Sequence, residues 1–375
     1  MSLPAKMLFF FVHPSKFHVF RDTITQLRQN GHIVDIVITS KDVLEDLLVS
    51  QGWEYTNIFP EGRKLKGISP LISSAINFFR TIYRLHKFVK KKKYDLFITD
   101  DLLVYLSKWF KTPSFVFTDD DLAVTKLFSI ILARADYVIA PMITDLGKFN
   151  SKKIGFEGYK ELAYLYPGRF IPDIEIIKKF NGGAERYFLI RLVSLRAYHD
   201  VGMKGLTDKN VIRLITLLER YGKVYISSER SLPDKLEKYR LKIEPRNILH
   251  VIYFADIFIG DSQTMTSEAA VLGTPSIRIN NFVGKISVME EKQSKYGLSF
   301  NFRVEQFDEM LNKLSELLVL DNLKNEFDTR KKVMLSEKID LSGFMTWLFD
   351  QYPESITEFR KNPNIQNRFK GRLSQ

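Results

Sequence analysis

A chain of 375 residues with 45% hydrophobic and 27% charged side chains can bury a core in each of two domains and is too apolar to stay disordered. It has no cysteine, which excludes disulfides, thiolate catalysis and cysteine-ligated metal and fits a reducing compartment. The formal net charge of +12 calls for an anionic partner, whether nucleic acid, a membrane surface or the substrate itself.

The first apolar run, "MLFFFV" at 7–12, ends at His13-Pro14. It is too short for a secretory core or a membrane span and reads as a buried strand. The expected location is therefore cytoplasmic, with peripheral contact at the inner face of the membrane. Pro14 opens a helix to about Gln29, stopped by Asn30-Gly31. "HIVDIVIT" (32–39) is the second strand, and Ser40 is a cap for a helix to about Ser50. "WEYTNIF" (53–59) is a third strand. Residues 60–69, with Pro60, Gly62, Gly67 and the basic Arg63, Lys64 and Lys66, form a loop long enough to be functional. A long apolar-striped helix covers 70–92 and ends in "KKKK" (90–93), cations that suit a helix C-terminus. No aromatic-interleaved nucleic-acid motif accompanies them, so nucleic acid is not the expected partner.

Strands follow at 95–99, 114–117 and 137–140. The pattern pauses over 141–183, where glycines collect, and resumes with "YFLIRLV", a helix at 208–221, "KVYIS", a short helix after Pro233, "DIFIG", a helix from about Met265 to Leu272, and "SIRI". Short apolar strands separated by helices imply parallel sheets covered on both faces. The expected architecture is α/β, two tandem doubly wound Rossmann-like domains facing a cleft. The expected divisions are an N-terminal domain over 1–150, a connection over 151–185, a C-terminal domain over 186–335, and a helical segment with a basic tail over 336–375.

The richest segment is "GDSQTMTSEAAVLGTP" (260–275). Small and polar residues lead from a strand into a helix whose N-terminal N–H groups suit a phosphate. A glutamate, Glu268, follows within the helix and can accept two hydrogen bonds from a sugar diol. An ordinary cap, Ser262 or Thr264, with Glu268 on the helix surface, fits the same pattern.

This segment resembles the nucleotide-sugar signature of the GT-B glycosyltransferases. It is similar to that of the transferase that adds N-acetylglucosamine to the peptidoglycan lipid precursor, and to that of the non-hydrolysing UDP-N-acetylglucosamine 2-epimerase. The resemblance implies that Ser262 opens the turn, that backbone N–H groups around Gln263, Thr264 and Met265 hold the diphosphate, and that Glu268, six positions after the serine, binds the ribose. The sequence departs from those families at Gln263 and Thr264, where they carry Gly-Gly or Gly-Ala. A wider set of blocks, "HPSKFHVF", "GYKELAYLYPGRF", "RLVSLRAYHDVG", "ISSERSLP" and "GDSQTMTSEAAVLGTPSIRINNFVG", resembles the bacterial and archaeal family called domain of unknown function 354. That family implies a GT-B-like fold and brings no established reaction.

Other candidates lie at strand ends. His13 and His18 frame the first strand–helix junction, where a histidine near neutrality suits deprotonation of an acceptor; a cap and a surface residue are the alternative. Asp100 and Asp119, after two neighbouring strands, can serve acid–base work at a sugar, or cap the helices that follow. Arg196 and His199 can reach a phosphate or leaving diphosphate. Ser227, Ser228 and Glu229 are placed for base or ribose, and Arg278 and Asn280 for the transferred sugar. The expected function is glycosyl transfer from a UDP-sugar or related donor to an envelope or capsule glycan or a lipid-linked acceptor. The alternatives are a nucleotide-sugar 2-epimerase or hydrolase, and a non-catalytic sugar-nucleotide-binding protein. The nucleotide sugar is a substrate, so no cofactor is expected and no divalent metal is required.

Overall fold

The structure is a computed structural model that describes residues 4–39, 43–63, 65, 67, 69–182, 186–194 and 205–371. The chain divides into two units. The first comprises the residues up to Tyr164 together with Ile339–Gly371, and the second comprises Leu165–Lys338.

The first unit carries strands β1 (Lys6–Phe11), β2 (Ile33–Ile38), β3 (Thr56–Asn57), β4 (Leu96–Thr99), β5 (Ser114–Phe117), β6 (Tyr137–Pro141) and β7 (Lys153–Phe156), in spatial order β3-β2-β1-β4-β5-β6-β7. Every pairing is parallel. Its helices are α1 (Pro14–Gln29), α2 (Leu44–Ser50), α3 (Pro70–Val89), α4 (Ser107–Phe110) and α5 (Ser129–Leu132). Five of the six β1 residues are buried, as an unbroken apolar run requires of a strand covered on both faces. The strand order reverses between β1 and β4, which makes their carboxyl ends the switch point where such sheets bind ligands.

Two expectations change here. Most of 53–59 is not strand, and only Thr56–Asn57 pairs, as the sheet edge. Residues 153–156, expected within a connection, are β7, the opposite edge. The strand was hidden by Gly155, where a Cβ would lie 2.9 Å from the Met142 sulfur; the close approach demands a glycine and breaks the apolar pattern. The expected cap Ser40 lies outside the described residues.

The second unit carries β8 (Tyr187–Leu192), β9 (Lys223–Ser228), β10 (Ile257–Gly260), β11 (Ser276–Ile279) and β12 (Ser299–Phe302), all parallel, in the order β12-β11-β10-β8-β9. Its helices are α6 (Ile174–Asn181), α7 (Asp208–Leu218), α8 (Asp234–Glu237), α9 (Ile248–Phe254), α10 (Gln263–Leu272), α11 (Ser287–Ser294), α12 (Phe307–Leu318) and α13 (Leu323–Glu337). The switch point of this sheet lies between β10 and β8.

After α13 the chain returns to the first unit as α14 (Leu341–Asp350) and α15 (Glu354–Lys361). The helical segment expected after 336 is thus part of the first core. Phe349 of α14 meets Phe9 and Phe115 edge-on, at 6.1 and 5.3 Å between ring centroids. Among the described residues, no helix is long and apolar enough to cross a membrane.

Candidate functional site

In the second unit, β10 ends at Gly260 and Asp261-Ser262 turn into α10. Ser262 caps the helix, its Oγ accepting the Met265 N–H at 3.3 Å. An α-helix leaves its first N–H groups without intrahelical acceptors, and Ser262 occupies one of them. No acidic residue stands in the first turn itself, although the carboxylate of Asp261 lies just before the cap, where it accepts backbone N–H groups of Val193 and Leu206. Ser262, Gln263, Thr264 and Met265 are half-buried, and the helix is buried from Thr266 to Leu272. Glu268 belongs to that buried part and is 7% exposed.

Asp261 is a centre the motif alone does not reveal. Its Oδ1 accepts the Val193 N–H at 2.8 Å and its Oδ2 the Leu206 N–H at 3.4 Å. One carboxylate therefore grips both ends of the β8–α7 segment. Burial pushes this carboxyl up to about 6, against the pull of the Val193 bond. Asn280 braces the same turn, its Nδ2 donating to the Asp261 carbonyl at 3.1 Å while its Oδ1 accepts from Phe282 N–H at 3.0 Å.

In the first unit a charged cluster occupies the switch point. After β1, Lys16 points its Nζ at Asp119 Oδ1 over 3.3 Å, and Lys160 reaches Asp119 Oδ2 over 2.6 Å. Burial alone would raise Asp119, but Lys160 and Lys16 outweigh it and hold the carboxyl far below its usual range. The reciprocal attraction of Asp119 overcomes the burial of Lys160 and keeps it charged. Beside them, after β4, Asp100 is half-buried with Oδ1 sealed from solvent and without a hydrogen-bond partner. Burial pushes this carboxyl up to about 7; Lys16 opposes the rise and Asp101 adds to it. Asp101 itself accepts the Leu102 N–H at 2.7 Å and pairs with Arg63 at 3.3 Å. Among the described residues, no group of three or more His, Asp or Glu side chains is arranged to hold a metal ion.

Residues 11–341 match the model of the family described as Protein of unknown function (DUF354). The chain belongs to the DUF354 family. No curated protein matches the sequence. Among solved structures, the DUF354 chain is similar to the glycotransferase of kitacinnamycin at 14% identity and TM-score 0.59, over 93% of this chain and 99% of that one. It is similar to S. aureus MnaA, solved with UDP, at 12% identity and TM-score 0.65, over 94% and 98% of the two chains. The UDP-GlcNAc 2-epimerase of Methanocaldococcus jannaschii, solved with UDP-GlcNAc and UDP, gives 13% identity and TM-score 0.59, over 88% and 99%. These likenesses define the fold class of the DUF354 chain as GT-B-like.

The structure sorts the candidate residues of this DUF354 protein. Ser262 through Met265 form the first turn of α10 with its cap, and Glu268 follows on the same helix, buried where a solvent-facing position was one expectation. Asp100 and Asp119 come together with Lys16. Asp119 is held between Lys16 and Lys160, at 3.3 and 2.6 Å. His13 is an exposed N-cap whose Nδ1 accepts the Ser15 N–H at 3.2 Å. His18 packs against Phe17 and Tyr164, at 5.4 and 5.3 Å between ring centroids. Burial, aided by Arg21, pulls His18 down to about 4, a poor match for a base working near pH 7.

Arg278 requires a larger correction. It is not beyond a strand end but inside β11, fully buried, with Nε and Nη1 unpartnered and Nη2 3.4 Å from Glu290. Burial lowers its guanidinium to about 10. Ser227 and Glu229 both bind Arg191, Glu229 also accepts the Ser194 N–H at 3.2 Å, and Ser228 closes a turn with Arg230. Arg196 and His199 lie outside the described residues. Lys16, Lys160 and Asp261 stood within the quoted blocks, yet only their long-range partners mark them out.

Proposed function

We propose that this protein acts on a nucleotide-activated sugar, with a UDP-type donor as the first candidate, and transfers the glycosyl group to an envelope or capsule glycan or a lipid-linked acceptor. The observation that carries the reading is the α10 entrance: a serine-capped first turn free of acidic residues, with Glu268 six positions after the cap. It supports a diphosphate on the N–H groups of the first turn and the ribose diol on Glu268. Asp261 and Asn280 are positioning residues for that turn. Transfer breaks the bond from sugar to diphosphate, forms one to the acceptor oxygen and releases the nucleoside diphosphate; in the first unit, the raised carboxyl of Asp100 is the group we assign to the proton of an acceptor hydroxyl. The helix end supplies positive charge, so the reading asks for no divalent metal and no cofactor. The setting is cytoplasmic, at the inner face of a membrane.

Asp100 also supports a second reading. A carboxyl near 7 beside Lys16 can both remove and return a proton at the sugar, as epimerisation without an acceptor requires. Product analysis separates the two: a transferase releases nucleoside diphosphate in proportion to glycosylated product, and an epimerase turns over nucleotide sugar alone.

The binding claim is tested by calorimetric titration with UDP, GDP, CDP and dTDP, on the wild type and Gln263→Glu. A carboxylate in the first turn complements the helix dipole and keeps the melting temperature, while it opposes an incoming phosphate. Affinity for the preferred nucleotide should fall about tenfold or more, which is about 1.4 kcal/mol. Equal affinity in both proteins, or no binding of any nucleotide, would remove the phosphate from α10.

A further inference from the structure

Residues 62–94 contain ten Lys and Arg and no Asp or Glu. This single stretch accounts for ten of the twelve excess positive charges of the chain. Its helix, α3, also leaves an apolar stripe in water. Ile72, Ile76, Phe79 and Tyr83 recur at spacings of four, three and four, which places them on one side of an α-helix. All four are exposed, Phe79 by 70% and Tyr83 by 68%. Trp109 of α4 is 65% exposed and continues the stripe beside His86, 6.0 Å between ring centroids. The exposed Leu127 and Ile130 lie on the other flank of α3, across a cavity of about 400 Å³ that they share with Asn77 and Phe78, and are not part of the stripe.

Single exposed apolar residues need no explanation, but a run of five along one side, Ile72, Ile76, Phe79, Tyr83 and Trp109, does. Its rim is basic: Lys87, Lys90, Lys91 and Lys93 at the end of α3 and Lys108 and Lys111 beside Trp109 are all exposed. The nearby Glu61 is already engaged by Arg80 and Arg84 at 2.9 and 2.6 Å, and Asp35 by Lys92 at 2.9 Å. The face therefore presents cations around an apolar strip. A second copy docked symmetrically would set like charges against each other. The aliphatic members have no base to stack on in a nucleic acid.

We propose that this face docks on an anionic lipid bilayer. Ile72, Ile76, Phe79 and Tyr83 enter the boundary between headgroups and acyl chains, Trp109 lies at headgroup level, and the lysines meet anionic headgroups. The proposal extends the membrane contact of the reading above, and rests on that reading only in making the bilayer the place where a lipid-linked acceptor is met.

The test is flotation of the full-length protein with vesicles, without nucleotide, so its result is separable from nucleotide titration. Binding is expected with phosphatidylcholine–phosphatidylglycerol vesicles, weaker with added salt, and absent with phosphatidylcholine alone. Phe79→Ser combined with Tyr83→Ser changes only exposed side chains, so melting should hold while binding falls about tenfold or more. Each of Lys90→Gln, Lys91→Gln and Lys93→Gln should weaken it about fivefold. Trp emission should shift to shorter wavelength on vesicles, a response lost in Trp109→Phe. Failure to bind any vesicle, or undiminished binding by these variants, overturns the proposal. So does a dimer that the Phe79/Tyr83 changes dissociate, or an oligonucleotide complex they abolish.

Discussion

At the scale of single residues, Glu268 and Asp100 carry the chemical reading. A charge-assisted bond from Glu268 to a diol contributes roughly 1.5–3 kcal/mol. Glu268→Ala should therefore weaken nucleotide binding about 10- to 100-fold, and Glu268→Gln less, because the amide oxygen still accepts. Since Glu268 is buried, Gln, which keeps its shape, is the cleaner probe. Titration beside a melting curve checks both, and native affinity in the Ala variant would return the residue to a structural role. For Asp100, folding holds the proton up to about pH 7, whereas the unfolded chain releases it near pH 4. Between those limits the folded state binds the extra proton, so the Asp100 contribution to stability falls as pH rises. Asp100→Asn removes the dependence. It should match wild type near pH 4 and exceed it above pH 7 by about 1–2 kcal/mol, allowing for partial exposure. Urea unfolding at the two pH values measures this, and any activity limb near pH 7 should disappear with it.

At the scale of elements, α10 is fixed at both ends. Ser262→Ala removes the cap and should cost about 1 kcal/mol. Gly273 ends the helix at φ 82°, and a Cβ there would stand 3.0 Å from Lys331 Cδ. Gly273→Ala should cost about 1–2 kcal/mol, chiefly in left-handed backbone strain. Denaturant midpoints of the two variants test both values. This element was legible in the sequence because everything that defines it is local: a polar cap, an alanine-rich body and a terminal glycine within one short segment. β1 was legible for the same reason, as one apolar run. β12 was not, because Ser299 and Asn301 alternate with Phe300 and Phe302 and both polar residues are buried, contrary to the usual burial preferences. The Lys16–Asp119 pair spans 103 positions, and no local spacing encodes it. Arg278 misled because a strand-end arginine normally reaches solvent, whereas here the strand keeps it inside.

At the scale of the whole molecule, the chain fills the first unit in two passes. A chain ended at Lys338 would strip α14 from α1 and uncover Phe9 and Phe115, which meet Phe349 in the complete protein. Losing one such buried aromatic costs about 3–5 kcal/mol, a large part of ordinary domain stability. The shortened protein should therefore melt well below the full-length one or aggregate, while the strands of the second unit, whose residues are continuous, keep their amide protection in hydrogen exchange. Equal melting of the two chains would show that α14 is dispensable. The same two-pass route has a meaning during synthesis. Domains usually fold as they leave the ribosome, the N-terminal one first. Here the N-terminal unit must wait, one aromatic face uncovered, until the second has been translated in full and the last helices emerge. The order of completion is thus reversed relative to the order of birth, and a pause or premature stop late in the message injures the part of the protein that was made first.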